Sequence, residues 1–178
     1  DIAPTTAMKS LAHLALFSAW DDAKKSDFIT AALKKKNPAD IEFALRAIRF
    51  SKLPSNFRLL ADSLPGMPAA TQLKALSALQ QAPRDASIAK AAAPLTESKT
   101  PAVAAAALAA LGQHGDKTTV ALLATKLQTV PTVKVALTRL DGDGVNAAIL
   151  AAMKTATGKD KAALIDVLAA RGQGKRTA

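Results

Sequence analysis

Seven cations, Lys34, Lys35, Lys36, Arg46, Arg49, Lys52 and Arg58, stand against only Asp40 and Glu42 in 25 residues, a local net charge of +5. Arg46 and Arg49 are three residues apart and Lys52 follows three further on, so a helix would carry them along one side. A basic line of this kind attracts anions, whether phosphates or an acidic protein surface, although a solvated surface is the plainer reading. Phe43, Phe50 and Phe57 interleave with it and would offer stacking platforms if exposed, but phenylalanines at these spacings belong more often to a core. The candidate anion- or partner-binding residues are therefore Arg46, Arg49, Lys52 and Arg58.

The remaining reactive residue types form no catalytic set. Asp141-Gly-Asp-Gly144 opens like a calcium loop, but Val145 falls at the third ligand position and Ala152 at the bidentate one, so the calcium reading fails and Asp143 reads as a helix cap. Asp21/Asp22 and Asp40/Glu42 sit where helices begin, which the helix dipole favours. His13 and His114 are the only histidines. Neither has a partner at metal-ligand spacing; His13 reads as a packed end-cap residue and His114 as an exposed turn residue. The chain has no cysteine, which removes disulfides, thiolate zinc sites and thiol nucleophiles and leaves the compartment open. The serines lack a nucleophile elbow and the glycines lack phosphate-loop spacing. No catalytic residue, metal or cofactor is expected, and the chain reads as a non-enzyme.

What would position the basic line is a repeat. From Thr100 to Gln128, Val103, Ala107, Leu108 and Leu111 make one helical stripe, and Gly112 and Gly115 are read as its stop. Val120, Leu123, Ala124 and Leu127 then make a second, with Asp116 as the cap between them. Apolar pairs recur in the first helix of each unit: Leu14/Phe17, Leu45/Ile48, Leu76/Leu79, Leu108/Leu111, Leu137/Leu140 and Ile165/Leu168, at steps of 31, 31, 32, 29 and 28 residues. The residue before the first member is alanine in four of the six, at Ala44, Ala75, Ala107 and Ala136, which suggests that helix backbones approach closely there. The spacing predicts helices over 5–18, 22–35, 39–50, 55–64, 69–81, 84–97 with a break at Pro94, 131–140, 145–155 and 159–170. Two amphipathic helices cannot bury both stripes alone, so the units must stack.

The pattern Leu111-Gly112-x-x-Gly115-Asp116-x-x-x-Val120-x-x-Leu123-x-x-x-Leu127 after an alanine-rich helix resembles the HEAT repeat, in the short bacterial form related to phycobilisome-lyase repeats. The resemblance implies an all-α fold: an α-solenoid of about five and a half two-helix repeats in a right-handed superhelix. It would make residues 1–178 one domain, a segment of a longer chain. Ending within a repeat, it would leave a final stripe of Ile165 and Leu168 facing water. By family resemblance the function is a non-enzymatic scaffold that binds another protein or domain. The alternative is nucleic-acid binding through the basic surface, with HEAT-like DNA glycosylases as its enzymatic extreme; a lyase-like or chaperone role on a cofactor-bearing partner is a third reading.

Composition agrees with helices. The 178 residues are 49% hydrophobic, without tyrosine, and all six aromatics precede residue 58. Closely packed Ala/Leu helices suit this better than a sandwich or barrel. The formal net charge of +10 permits acidic partners without identifying one. The longest uncharged run, Thr100 to Gly115, is too short to span a bilayer. The start at Asp1, without an initiator methionine, fits a processed or excised chain.

Overall fold

A computed structural model describes residues 17–34, 38–51, 53–128 and 130–174. All regular structure among them is helical. The chain divides into two compact units, residues 1–83 and 84–178.

In the first unit Asp21 accepts the Lys24 amide at 2.8 Å and so caps α1 (Asp22–Lys34), satisfying one of the amides that a helix start leaves without an internal partner. Helix α2 (Pro38–Ser51) begins on Pro38, where a missing N–H costs nothing, and buries Ile41, Ala44, Leu45 and Ile48. Helix α3 (Pro54–Ser63) again starts on proline, buries Phe57, Leu60 and Ala61, and runs into a 3₁₀ turn, Leu64–Gly66, at Pro65. Helix α4 (Ala69–Leu79) is tied to that turn by Gln72, whose amide donates to the Leu64 carbonyl at 3.0 Å. Alternate helices pack together: α2 lies against α4 and α1 against α3. Buried Asn56 accepts a hydrogen bond from Ser26 at 2.9 Å across the second of these seams. Phe17, Trp20, Phe28 and Phe43 pack ring against ring, with Phe28 edge-on to Phe43 at 5.3 Å.

The second unit repeats the arrangement. Asp85 accepts the Ser87 amide to cap α5 (Ala86–Ala92). As Pro94 requires, α5 ends there and gives way to a 3₁₀ turn, Ala93–Glu97. Helices α6 (Pro101–His114), α7 (Thr119–Ala124), α8 (Thr132–Arg139), α9 (Val145–Thr155) and α10 (Gly158–Gly174) follow. Alternate helices again pack together, α6 on α8 and α8 on α10, with α7 on α9. Asp116 caps the turn into α7 reciprocally: its carboxylate accepts the Thr118 amide at 2.8 Å, and its own amide donates to the Thr119 hydroxyl at 3.1 Å, the logic of a capping box.

Of the predicted first-helix pairs, Leu45/Ile48, Leu76/Leu79, Leu108/Leu111 and Leu137/Leu140 are all buried, as are Ala44, Ala75, Ala107 and Ala136. Leu14, His13 and nearly all of the helix predicted over 5–18 lie outside the described residues. The sixth pair is corrected by one residue. Leu164 and Val167 are buried, as is Ala163 before them, while Ile165, expected to face water, is 51% exposed. Helix α10 also runs past the predicted end at 170 to Gly174. Arg171 helps hold this last turn: its guanidinium donates to the Leu137, Thr138 and Leu140 carbonyls at the end of α8 and to Asn146.

Three turn readings change as well. Gly112 does not stop α6; it lies inside the helix, where a Cβ would come within 2.6 Å of the Ala136 Cα, so it marks the close approach of α6 to α8. Gly115 is the residue that ends α6. His114 is not an exposed turn residue but is 1% exposed, and its Nδ1 accepts the Asp85 amide at 3.3 Å. Asp143 does not cap α9; that position belongs to Gly144, whose φ of 81° places it in the left-handed region that glycine enters without a Cβ penalty.

Candidate interaction surface

One side of α2 is core, and the other carries Glu42, Arg46, Arg49 and Phe50, spaced so that they share the exposed face. Arg46 donates to one Glu42 oxygen at 3.0 Å, and Lys74 of α4 reaches the other at 3.4 Å. The Arg46 hydrogen bond, with Lys74 beside it, holds the Glu42 carboxyl below the usual glutamate range. These groups rim an open depression of about 460 Å³ between α2 and α4, with Leu45 and Leu73 supplying apolar lining and Arg49 and Ser77 completing it. Leu73 is 38% exposed and Phe50 57% exposed.

Of the predicted basic line, Arg46 and Arg49 meet at this depression. Arg58 is exposed on α3 and does not line it, and Lys52 lies outside the described residues. The phenylalanines also separate: Phe57 is buried, Phe43 packs on Phe28, and Phe50 alone of the three is exposed. Lys74 escaped sequence reasoning, because its role depends on α4 stacking on α2. Its trace in the sequence is an opposite-charge pair separated by close to one repeat step.

The second unit has a related face between α8 and α10. Lys134 meets Asp166 at 3.1 Å across the seam, Val135 is half exposed, and Arg139 lines the same depression of about 300 Å³. On the second-helix side, a depression of about 390 Å³ between α1 and α3 is walled by Leu33, Ile41, Leu59 and Met67, with Lys34 and Asp62 as its charged groups. Another, of about 340 Å³, lies among α5, α6 and α7 and includes His114, Lys90 and Asp116. His114 already accepts the amide of the residue that caps α5, so its imidazole works as a packing and capping group.

Among the described residues no three acidic or histidine side chains gather closely enough to hold a metal ion. None of the described helices is long and apolar enough to cross a membrane. No protein family, curated protein or solved structure matches the chain. The geometry sets cations beside apolar side chains on the exposed face of paired helices.

Proposed function

We propose that the chain is a non-enzymatic interaction scaffold, an α-solenoid of about five and a half HEAT-like repeats in a right-handed superhelix that binds another protein or domain. One observation carries this reading: within each unit, side-chain links join positions about one repeat apart. In the first unit they are Ser26 to Asn56 and Glu42 to Lys74. In the second they are Glu97 to Lys126, Gln128 to Asp160 and Lys134 to Asp166. Links of this periodicity, together with first-on-first and second-on-second helix packing, are what stacked two-helix repeats produce. Solution scattering tests the architecture; the dimensions of a compact globule would reject the solenoid. A pull-down from native extract with nuclease and salt controls tests the function, and retention of nuclease-resistant protein is the expected result.

The second reading, nucleic-acid binding, is favoured by one feature, the convergence of Arg46, Arg49 and Lys74 on one face. Against it stand Glu42 among those cations, the burial of Phe57 and the engagement of the half-buried Phe43 ring by Phe28. Binding through several phosphates would lose orders of magnitude in affinity between about 50 and 200 mM salt, and a packed protein groove would lose far less.

A further inference from the structure

The depression between α2 and α4 combines two features that select the same guest. Its rim holds three cations, Arg46, Arg49 and Lys74, and one acid, Glu42. Glu42 is shared between Arg46 and Lys74, and Arg49 makes no ion pair among the described residues. A guest carboxylate therefore finds an unneutralised guanidinium at Arg49 and two further cations whose acid is already divided between them. Beside the charges the exposed Leu73 and the edge of the buried Leu45 supply apolar lining, and the exposed Phe50 lies one turn beyond Arg46 on α2. The volume of about 460 Å³ is at the small end of ligand pockets, which run roughly 300–1,000 Å³. That is room for an anchoring side chain, not for a folded element.

A nucleic-acid strand would leave Leu73 unused and would bring phosphates against Glu42, which its two cations keep ionised. A second copy of this chain is a poor guest, since each carries a net charge of +10 and like-charged surfaces repel. We propose that the α2–α4 face docks an acidic segment of a partner protein, one apolar side chain resting on Leu73 and neighbouring carboxylates pairing with Arg49 and with the Arg46/Lys74 edge. This rests on the scaffold reading and names the class of partner at that face.

The test uses the whole chain and fluorescence anisotropy with a short labelled peptide of Glu and Asp around a central Leu-Phe pair. Companion probes are the same peptide with Gln replacing its acids, the same peptide with Ser replacing Leu-Phe, and a single-stranded oligonucleotide. The protein variants are Arg49→Glu with Lys74→Glu, and separately Leu73→Ser; all three positions are exposed, and circular dichroism verifies that the helices persist. The acidic apolar peptide is expected to bind. Its affinity should fall about tenfold or more with the charge reversal and severalfold with Leu73→Ser, and both altered peptides should bind more weakly. The proposal is overturned if the acidic apolar peptide does not bind, if it binds the charge-reversed protein equally, or if the Ser peptide matches it. It is likewise overturned if the oligonucleotide displaces the peptide with greater affinity through the same residues. Extract pull-downs separate the two levels. Equal retention of nuclease-resistant proteins by the wild type and the charge-reversed variant removes this face and leaves the scaffold; retention of none by either removes the scaffold reading itself.

Discussion

Substituting Gly112 by alanine reverses the usual consequence of such a change. In a helix interior, glycine is less favourable than alanine by about 0.5–1 kcal/mol because its backbone loses more freedom on folding. At Gly112 the added Cβ would lie 2.6 Å from the Ala136 Cα, 2.9 Å from its carbonyl oxygen and 3.0 Å from its Cβ. Two of those three atoms are backbone, so no rotamer change relieves the contact and α6 must move away from α8. Overpacking of this kind costs about 1–3 kcal/mol. After the propensity gain, the expected net loss is up to about 2.5 kcal/mol, equivalent to a fall in melting temperature of up to roughly 10 °C for a chain of this length.

The control is Gly172→Ala, also helical, where nothing lies within 4 Å of the new Cβ; it should be neutral or stabilising by up to about 1 kcal/mol. The aromatic residues all precede residue 58, so the transition must be followed by far-ultraviolet circular dichroism, because Trp20 emission reports only on the first unit. Ala136→Gly in the Gly112→Ala background should restore part of the loss, since it removes one of the three contacts. Equal effects of Gly112→Ala and Gly172→Ala would refute the close approach of α6 and α8.

Leu111, 1% exposed on α6, should cost about 2–5 kcal/mol when cut to alanine; a denaturation shift worth under roughly 0.5 kcal/mol would contradict its place in the core. Asp116→Ala should cost about 0.5–2 kcal/mol at neutral pH, the range for a lost helix cap. The Thr118 hydroxyl and amide hold the Asp116 carboxyl below its ordinary value, so its contribution is present above about pH 4 and disappears as pH falls through the lower folded value. Wild-type and mutant stabilities should therefore converge on acidification, and a constant gap would argue against the cap. Arg171→Lys should recover little of what Arg171→Ala loses, because one ammonium cannot reproduce the guanidinium bonds to the α8 carbonyls and Asn146; equal melting curves for the wild type and the lysine variant would refute this.

The helices and four of the six core pairs were legible because a buried helical stripe demands apolar side chains three and four apart, and few other patterns meet that demand. Helix α10 shows where legibility stops. Its Ala-Leu-Ile-Asp-Val-Leu run contains two apolar pairs offset by one residue, Leu164/Val167 and Ile165/Leu168, and periodicity cannot choose between them. The alanine that precedes each buried pair could have chosen, since Ala163 continues the series Ala44, Ala75, Ala107 and Ala136. That series reflects the space available between stacked first helices, a tertiary quantity seen again at Gly112. His114 was misread for the same reason: Gly112 resembled a helix stop, when its lack of a side chain instead serves a neighbouring helix. At the candidate face, Arg46 and Arg49 were visible as near neighbours on one helix, but Lys74 required knowing that α4 lies beside α2.

The same helix geometry makes the proposed face separable from the fold. On α2 the inward residues Ile41, Ala44, Leu45 and Ile48 are at most 6% exposed, and burial of such side chains is what holds a helix in place. Glu42, Arg46 and Arg49 point the other way, and Lys74 joins them from α4 with 62% of its side chain exposed. Exposed ion pairs contribute little to stability because water already solvates both partners and holding two long chains in register costs entropy. Reversing Arg49 and Lys74 should therefore leave the melting curve almost unchanged while altering whatever the face binds. The core positions lack that separation, since a loss of binding after changing Leu45 would also follow from displacement of α2. Matched melting curves with divergent binding are thus the signature of a recognition surface, and parallel losses of both would assign these charges to the fold.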